Sequence, residues 1–175
     1  MAQWRKTRAS IVVLIMVPLL SSCLEDRRAD KAYLRGDYSK TEKELRYLAD
    51  HGDVRAQYDL GVLYDQGQGV PQNDHEAMSW YRRAAEQGDA RAQYNLGLMY
   101  ANGQGVPPNL VEAYYWVSLA AAQGNAPAVN AREYYAEQMT VDQRNQAMRM
   151  VEQRLLQDKN TCQFCDHLSV GSKPF

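Results

Sequence analysis

Two consecutive stretches of this chain are copies of one another, and few folds suit a chain that repeats itself at a short fixed period. Residues 52–87, GDVRAQYDLGVLYDQGQGVPQNDHEAMSWYRRAAEQ, align without a gap on residues 88–123, GDARAQYNLGLMYANGQGVPPNLVEAYYWVSLAAAQ, and 21 of the 36 positions are identical. Chance does not produce that. A period of this length is the mark of stacked supersecondary units, each too small to bury its apolar face alone.

Each copy reads as two helices. Gly52-Asp53 and Gly88-Asp89 stop one helix and cap the next, because glycine tolerates a left-handed conformation and an aspartate carboxylate accepts an N-terminal amide. In the first helix of each copy, helix A, Ala56, Leu60 and Tyr64 and their counterparts Ala92, Leu96 and Tyr100 fall at i, i+4, i+8 and form one stripe. Gly61 and Gly97 sit inside these helices, where glycine costs about 1 kcal/mol relative to alanine. A cost incurred twice at the same place implies a close approach of helices. Gly-Gln-Gly-Val-Pro makes the loop in both copies, and helix B follows with Ala77, Trp80, Ala84 and Ala85, matched by Ala113, Trp116, Ala120 and Ala121. The small residues admit a neighbouring helix and the tryptophans fill the space between.

This pattern, A-x-x-x-L-G-x-x-Y-x-x-G-x-G-V followed by A-x-x-W-x-x-x-A-A-x-x-G, closely resembles the SEL-1-like repeat, a longer relative of the tetratricopeptide repeat. The resemblance implies an all-α fold: a short right-handed α-solenoid of about seven or eight helices, its concave side lined by helix A. Positions of helix A outside the stripe then become candidate groove residues: Arg55, Asp59, Val62, Arg91, Asn95 and Met99. Arg55 and Arg91 are equally readable as solvated, or paired with acids of the next unit. Residues 29–51 look like a shorter tetratricopeptide-type pair. After Gly124 the pattern decays, with Arg132 and Glu133 replacing Leu-Gly. Thr140 and Gln143 form a capping box ahead of a helix over 141–157. Its Ala147, Met150, Val151 and Leu155 share one face and Arg144, Arg149, Glu152 and Arg154 point outward, as a solenoid cap requires.

The N-terminus belongs to something else. Arg5, Lys6 and Arg8 precede a short apolar run, Ile11 to Leu20, which has the flanks of a signal peptide and falls short of the roughly 20 apolar residues of a membrane span. Leu20-Ser21-Ser22-Cys23 resembles the bacterial lipobox. That resemblance implies cleavage before Cys23 and acylation of Cys23, and multiple acyl chains anchor a protein stably where one does not. Leu24, in place of an aspartate, favours the outer membrane. The expected organisation is a signal peptide (1–22), a lipidated linker (23–28), a degenerate helix pair (29–51), two full repeats (52–87 and 88–123), a degenerate repeat with cap (124–157) and a tail (158–175). Removing residues 1–22 takes away three basic residues and no acidic one, moving the formal charge from −1 to −4. Such a surface argues against nucleic acid as a partner.

Chemistry is sparse. His51 stands where the full repeats carry Gln, and His75 lies at the start of helix B; neither has a second ligand at i+3 or i+4. Tyr114-Tyr115-Trp116 and Tyr134-Tyr135 suggest an aromatic cluster, either packing between helices or a patch for peptide or glycan. No cofactor is implied. Cys162 and Cys165 form a Cys-x-x-Cys near the C-terminus and, with Cys23 consumed by lipid, are the remaining pair in an oxidising compartment. A local disulfide, an intermolecular one, a metal site with His167 and a redox role are the readings, the last lacking any βαβ context. Together these features describe a membrane-anchored, periplasm-facing repeat scaffold that binds other proteins and is not an enzyme. The alternatives are an enzyme or accessory factor acting on cell wall or β-lactams, and a thiol–disulfide factor.

Overall fold

A computed structural model describes the backbone of residues 38–169 and the side chains of residues 41–160. The described residues are helical throughout, with short connections. α1 covers Tyr38–Asp50, α2 Val54–Gln66, α3 Asp74–Glu86, α4 Ala90–Asn102, α5 Leu110–Ala122, α6 Ala126–Gln138 and α7 Val141–Ser169. The first six pack in sequence, each on its neighbour, so α2–α3 and α4–α5 are the A–B hairpins of the two repeats.

The boundaries are set chemically. Asp53 accepts the Ala56 amide at 2.7 Å, and Asp89 accepts those of Arg91 and Ala92 at 2.9 and 3.0 Å. Asn73 and Asn109 do the same for the two B helices. Gly88 turns the chain between repeats at φ 95°, a conformation that a β-carbon resists.

Between the hairpins the core is continuous. Leu60, Leu96, Ala77, Ala84, Ala113 and Ala120 are fully buried, and Trp80 and Trp116 almost so. Tyr64 and Tyr100 have buried rings and hydroxyls that reach back to the preceding helix B, where Arg46 and Arg82 donate to them. At Gly97 an added Cβ would lie 2.6 Å from Val117 Cγ1 and 3.1 Å from the Ala113 carbonyl oxygen. Gly61 likewise has the Tyr81 ring against it. Absent β-carbons let each A–B pair close.

A second device is a glutamine ladder. Gln57 donates to the Ala49 carbonyl at 3.0 Å and accepts from Gln87 at 2.7 Å; one repeat later Gln93 donates to Ala85 at 3.1 Å and accepts from Gln123 at 2.8 Å. Each buried amide therefore ties the end of one helix B to the next A and then to the end of its own B.

The C-terminal end departs from the expected plan. α7 continues to Ser169, past the helix end expected at 157, so no break separates a cap from a tail. It packs on α5 and hardly touches α6. Arg154, expected to point outward, instead donates to the Glu86 carbonyl at 2.8 Å and pairs with Asp158 at 3.0 Å. The capping box is formed, with Thr140 and Gln143 exchanging amide bonds at 2.9 and 3.2 Å.

Candidate functional site

Helix A offers one face to its own helix B and the core, leaving a second face between successive A helices. α2 and α4 touch one another directly. Arg91 makes the rung, its guanidinium 4.1 Å from the centre of the Tyr58 ring and 2.8 Å from the Asp89 carboxylate. Burial disfavours the charged form of Asp89, but hydrogen bonds from Arg91 and from the Ala92 amide outweigh it and hold the carboxyl below its ordinary value. Arg91 is therefore a positioned group, stacked and paired at once. Arg55, its equivalent in α2, lies 3.8 Å from Asp59.

Val62 and Asn95 are half-buried on this face, and Asn95 hydrogen-bonds the hydroxyl of Tyr81. That hydroxyl also lies 3.4 Å from Asp65. Desolvation by burial raises the Asp65 carboxyl above its ordinary value, while the Tyr81 hydrogen bond works the other way. The Tyr81 hydroxyl is itself driven far up by burial and by the neighbouring carboxylate. Met99 does not belong to the groove. It is 2% exposed, because it lies three residues after Leu96 and falls on the core stripe, as its equivalent Leu63 does. The residue equivalent to Val62 is Leu98, which is half-buried on the exposed ledge. Tyr58 and Tyr94, also half-buried, complete that ledge. Both tyrosines were legible in the sequence as repeated residues one position before Asp59 and Asn95.

Residues 54–89 and 90–125 each match the family model of the Sel1 repeat. The chain contains two Sel1 repeats. A crystal structure of c5321, a protective antigen of uropathogenic Escherichia coli strains with an SLR fold, superposes with a TM-score of 0.70 over 86% of this chain and 33% of that one, at 26% identity. A Sel1 repeat protein from Oxalobacter formigenes superposes at 0.54 over 61% of this chain and 44% of the other, at 39% identity. The chain thus spans a third to under a half of the length of these two proteins. No curated protein matches it significantly.

Beyond the Sel1 repeats the inter-repeat clamp disappears. Ser118 takes the position of Arg46 and Arg82, and Ala136 that of Tyr64 and Tyr100. Ser118 is 6% exposed and its hydroxyl has no partner among the described residues. A groove of about 440 Å³ opens there, floored by Tyr114, Ser118 and Ala122 of α5 and walled by Arg132 of α6 and one face of α7.

The aromatic residues singled out in the sequence do not form one cluster. Tyr115 meets Trp116 edge-on at 4.9 Å, whereas Tyr134 is 61% exposed and Tyr135 is buried. His75 is exposed, and His51 lies against the Tyr47 ring with Nδ1 2.6 Å from the Tyr47 carbonyl. Among the described residues no group of His, Cys, Asp or Glu is arranged to hold a metal, and no helix is long and apolar enough to cross a membrane. Cys23 lies outside the described residues. Cys162 and Cys165 fall within the backbone of α7, their side chains outside the described set.

Proposed function

We propose that the protein is a scaffold of the bacterial envelope, held to a membrane by lipid on Cys23 and gripping another protein along the helix A face of its Sel1 repeats. Sel1 repeat proteins are in general protein-interaction scaffolds, and the fold is typically non-catalytic. The observation that carries the proposal is the ledge of Tyr58, Val62, Tyr94 and Leu98, half-buried rings and aliphatics held between a fixed cation at Arg91 and polar groups at Asn95 and Asp65. Side chains already ordered by their own repeat lose little entropy on binding, and rings with polar tips suit a surface that must be both wet and sticky. Envelope placement rests on the basic, apolar, Ser-Ser-Cys order of residues 5–23.

A photo-crosslinking residue at Tyr94 or Leu98 in the full chain in cells should capture a discrete protein, while the same probe at exposed Ser79 on helix B should not. Equal capture of abundant neighbours from all three positions would defeat the scaffold reading. Separately, Cys23→Ala should leave an uncleaved precursor that takes up no labelled palmitate.

A further inference from the structure

Among the described residues, the exposed large apolar side chains are concentrated at one end. Of the six in the described residues, five lie on the last two helices: Tyr134, Val141, Met148, Leu155 and Leu156. Val141, Met148 and Leu155 recur at intervals of seven, the spacing that keeps a seam facing a second helix lying alongside. An extended peptide has no such period. Met148, Val151, Glu152, Leu155, Leu156 and Lys159 also share the face of α7 that looks across the 440 Å³ groove. On the far side lies the buried hydroxyl of Ser118, without a partner among the described residues.

α7 is also longer than the described helices before it. The six described helices that precede it have 13 residues each, whereas α7 has 29, or about 44 Å. From Leu155 to Asn160 every side chain is exposed. An exposed helical end of this kind is marginal in water on its own.

We infer that α7 pairs with α7 of a second copy of this chain, the two running antiparallel about a two-fold axis beside Leu155 and Leu156. Charge selects this occupant. Glu152 and Lys159 flank the two leucines one on each side, seven residues apart, and neither has an ion pair within the described residues of its own chain. A two-fold axis midway between Leu155 and Leu156 sets Glu152 of one copy opposite Lys159 of the other, and does so twice. A parallel pairing in register would set like charges together. The arrangement is isologous, since each α7 lies in the groove beside the other. It uses no residue of the helix A ledge, which stays open in both copies.

The test uses the full chain purified in detergent, with light scattering after subtraction of the detergent mass. The protein should elute at twice the chain mass. Leu155→Glu should raise the dimer Kd by about thirtyfold or more, the scale of a central interface residue. Glu152→Lys should weaken the dimer, and Glu152→Lys with Lys159→Glu together should restore it. Helicity by circular dichroism shows that each variant is folded, so that loss of the dimer is read only from folded protein. In cells, Leu155→Cys with Cys162 and Cys165 replaced by Ser should give a disulfide-linked dimer on oxidation. A monomeric parent, a dimer indifferent to Leu155→Glu, failure of the charge swap to restore pairing, or crosslinking of Leu155→Cys to a different protein would each overturn the inference.

Discussion

Gly97 supports a quantitative test, because two opposing effects act at one atom. Gly97→Ala in an unpacked helix would gain about 1 kcal/mol from propensity alone. Here the new Cβ would stand 2.6 Å from Val117 Cγ1, 3.1 Å from the Ala113 carbonyl oxygen and 3.3 Å from the Val117 amide nitrogen. Val117 is fully buried and cannot swing into solvent, and two of the three atoms are backbone. α4 and α5 must therefore move apart along their most intimate contact. Overpacking of this kind costs about 1–3 kcal/mol, and loosening an entire helix pair puts it at the upper end. The net expectation is a loss of about 1–2 kcal/mol, measured by urea unfolding followed by circular dichroism. Val117→Ala is destabilising alone, but it removes the shortest contact, so the double variant should be more stable than the sum of the singles by about 0.5 kcal/mol or more. A Gly97→Ala protein that gained about 1 kcal/mol would refute the reasoning, showing that the glycine merely costs stability.

The glutamine ladder should be equally sensitive: Gln93→Leu removes two hydrogen bonds and strands the Gln123 amide, for a loss of about 1–3 kcal/mol in the same unfolding assay. Trp116→Ala should cost about 3–5 kcal/mol, since the ring is buried between helices, and calorimetry would register the lowered Tm. Asp89 makes a pH prediction. Its folded pKa is depressed, so its charge stabilises the fold above the unfolded value and that contribution fades as pH falls through the folded one. Asp89→Asn keeps the cap but not the charge, and its deficit relative to the parent should be largest near neutrality and shrink below about pH 4. Asp65 has the opposite sign: with its folded pKa raised, the stability of Asp65→Asn relative to the parent should increase as pH climbs through the carboxylate range.

Much of the repeat was legible because its signals are local. Helix ends follow from Asp53, Gly88 and Asp89, and the stripe of Leu60 and Tyr64 follows from a period that any amphipathic helix obeys. The groove was harder. Met99 and Leu98 are adjacent apolar residues, and which of them faces the core depends on a rotation of about 100° per residue measured from Leu96. Matching Val62 to its true equivalent, Leu98, would have made that choice. Gln57, Gln87, Gln93 and Gln123 repeat as plainly as the tryptophans. A polar residue that recurs, however, reads as exposed until its partner carbonyl is located.

The sequence by itself determined the unit: its two helices, its caps, its loop and the glycines where they close. Those properties depend on neighbours a few residues apart and on a period copied twice. Only the tertiary structure decided how the units end. Arg46 and Arg82 clamp the next tyrosine, Ser118 and Ala136 cannot, and α7 therefore lies across α5 with Arg154 turned in to Glu86. No local rule foretells that, because it follows from which side chains are missing at an interface between helices distant in the chain.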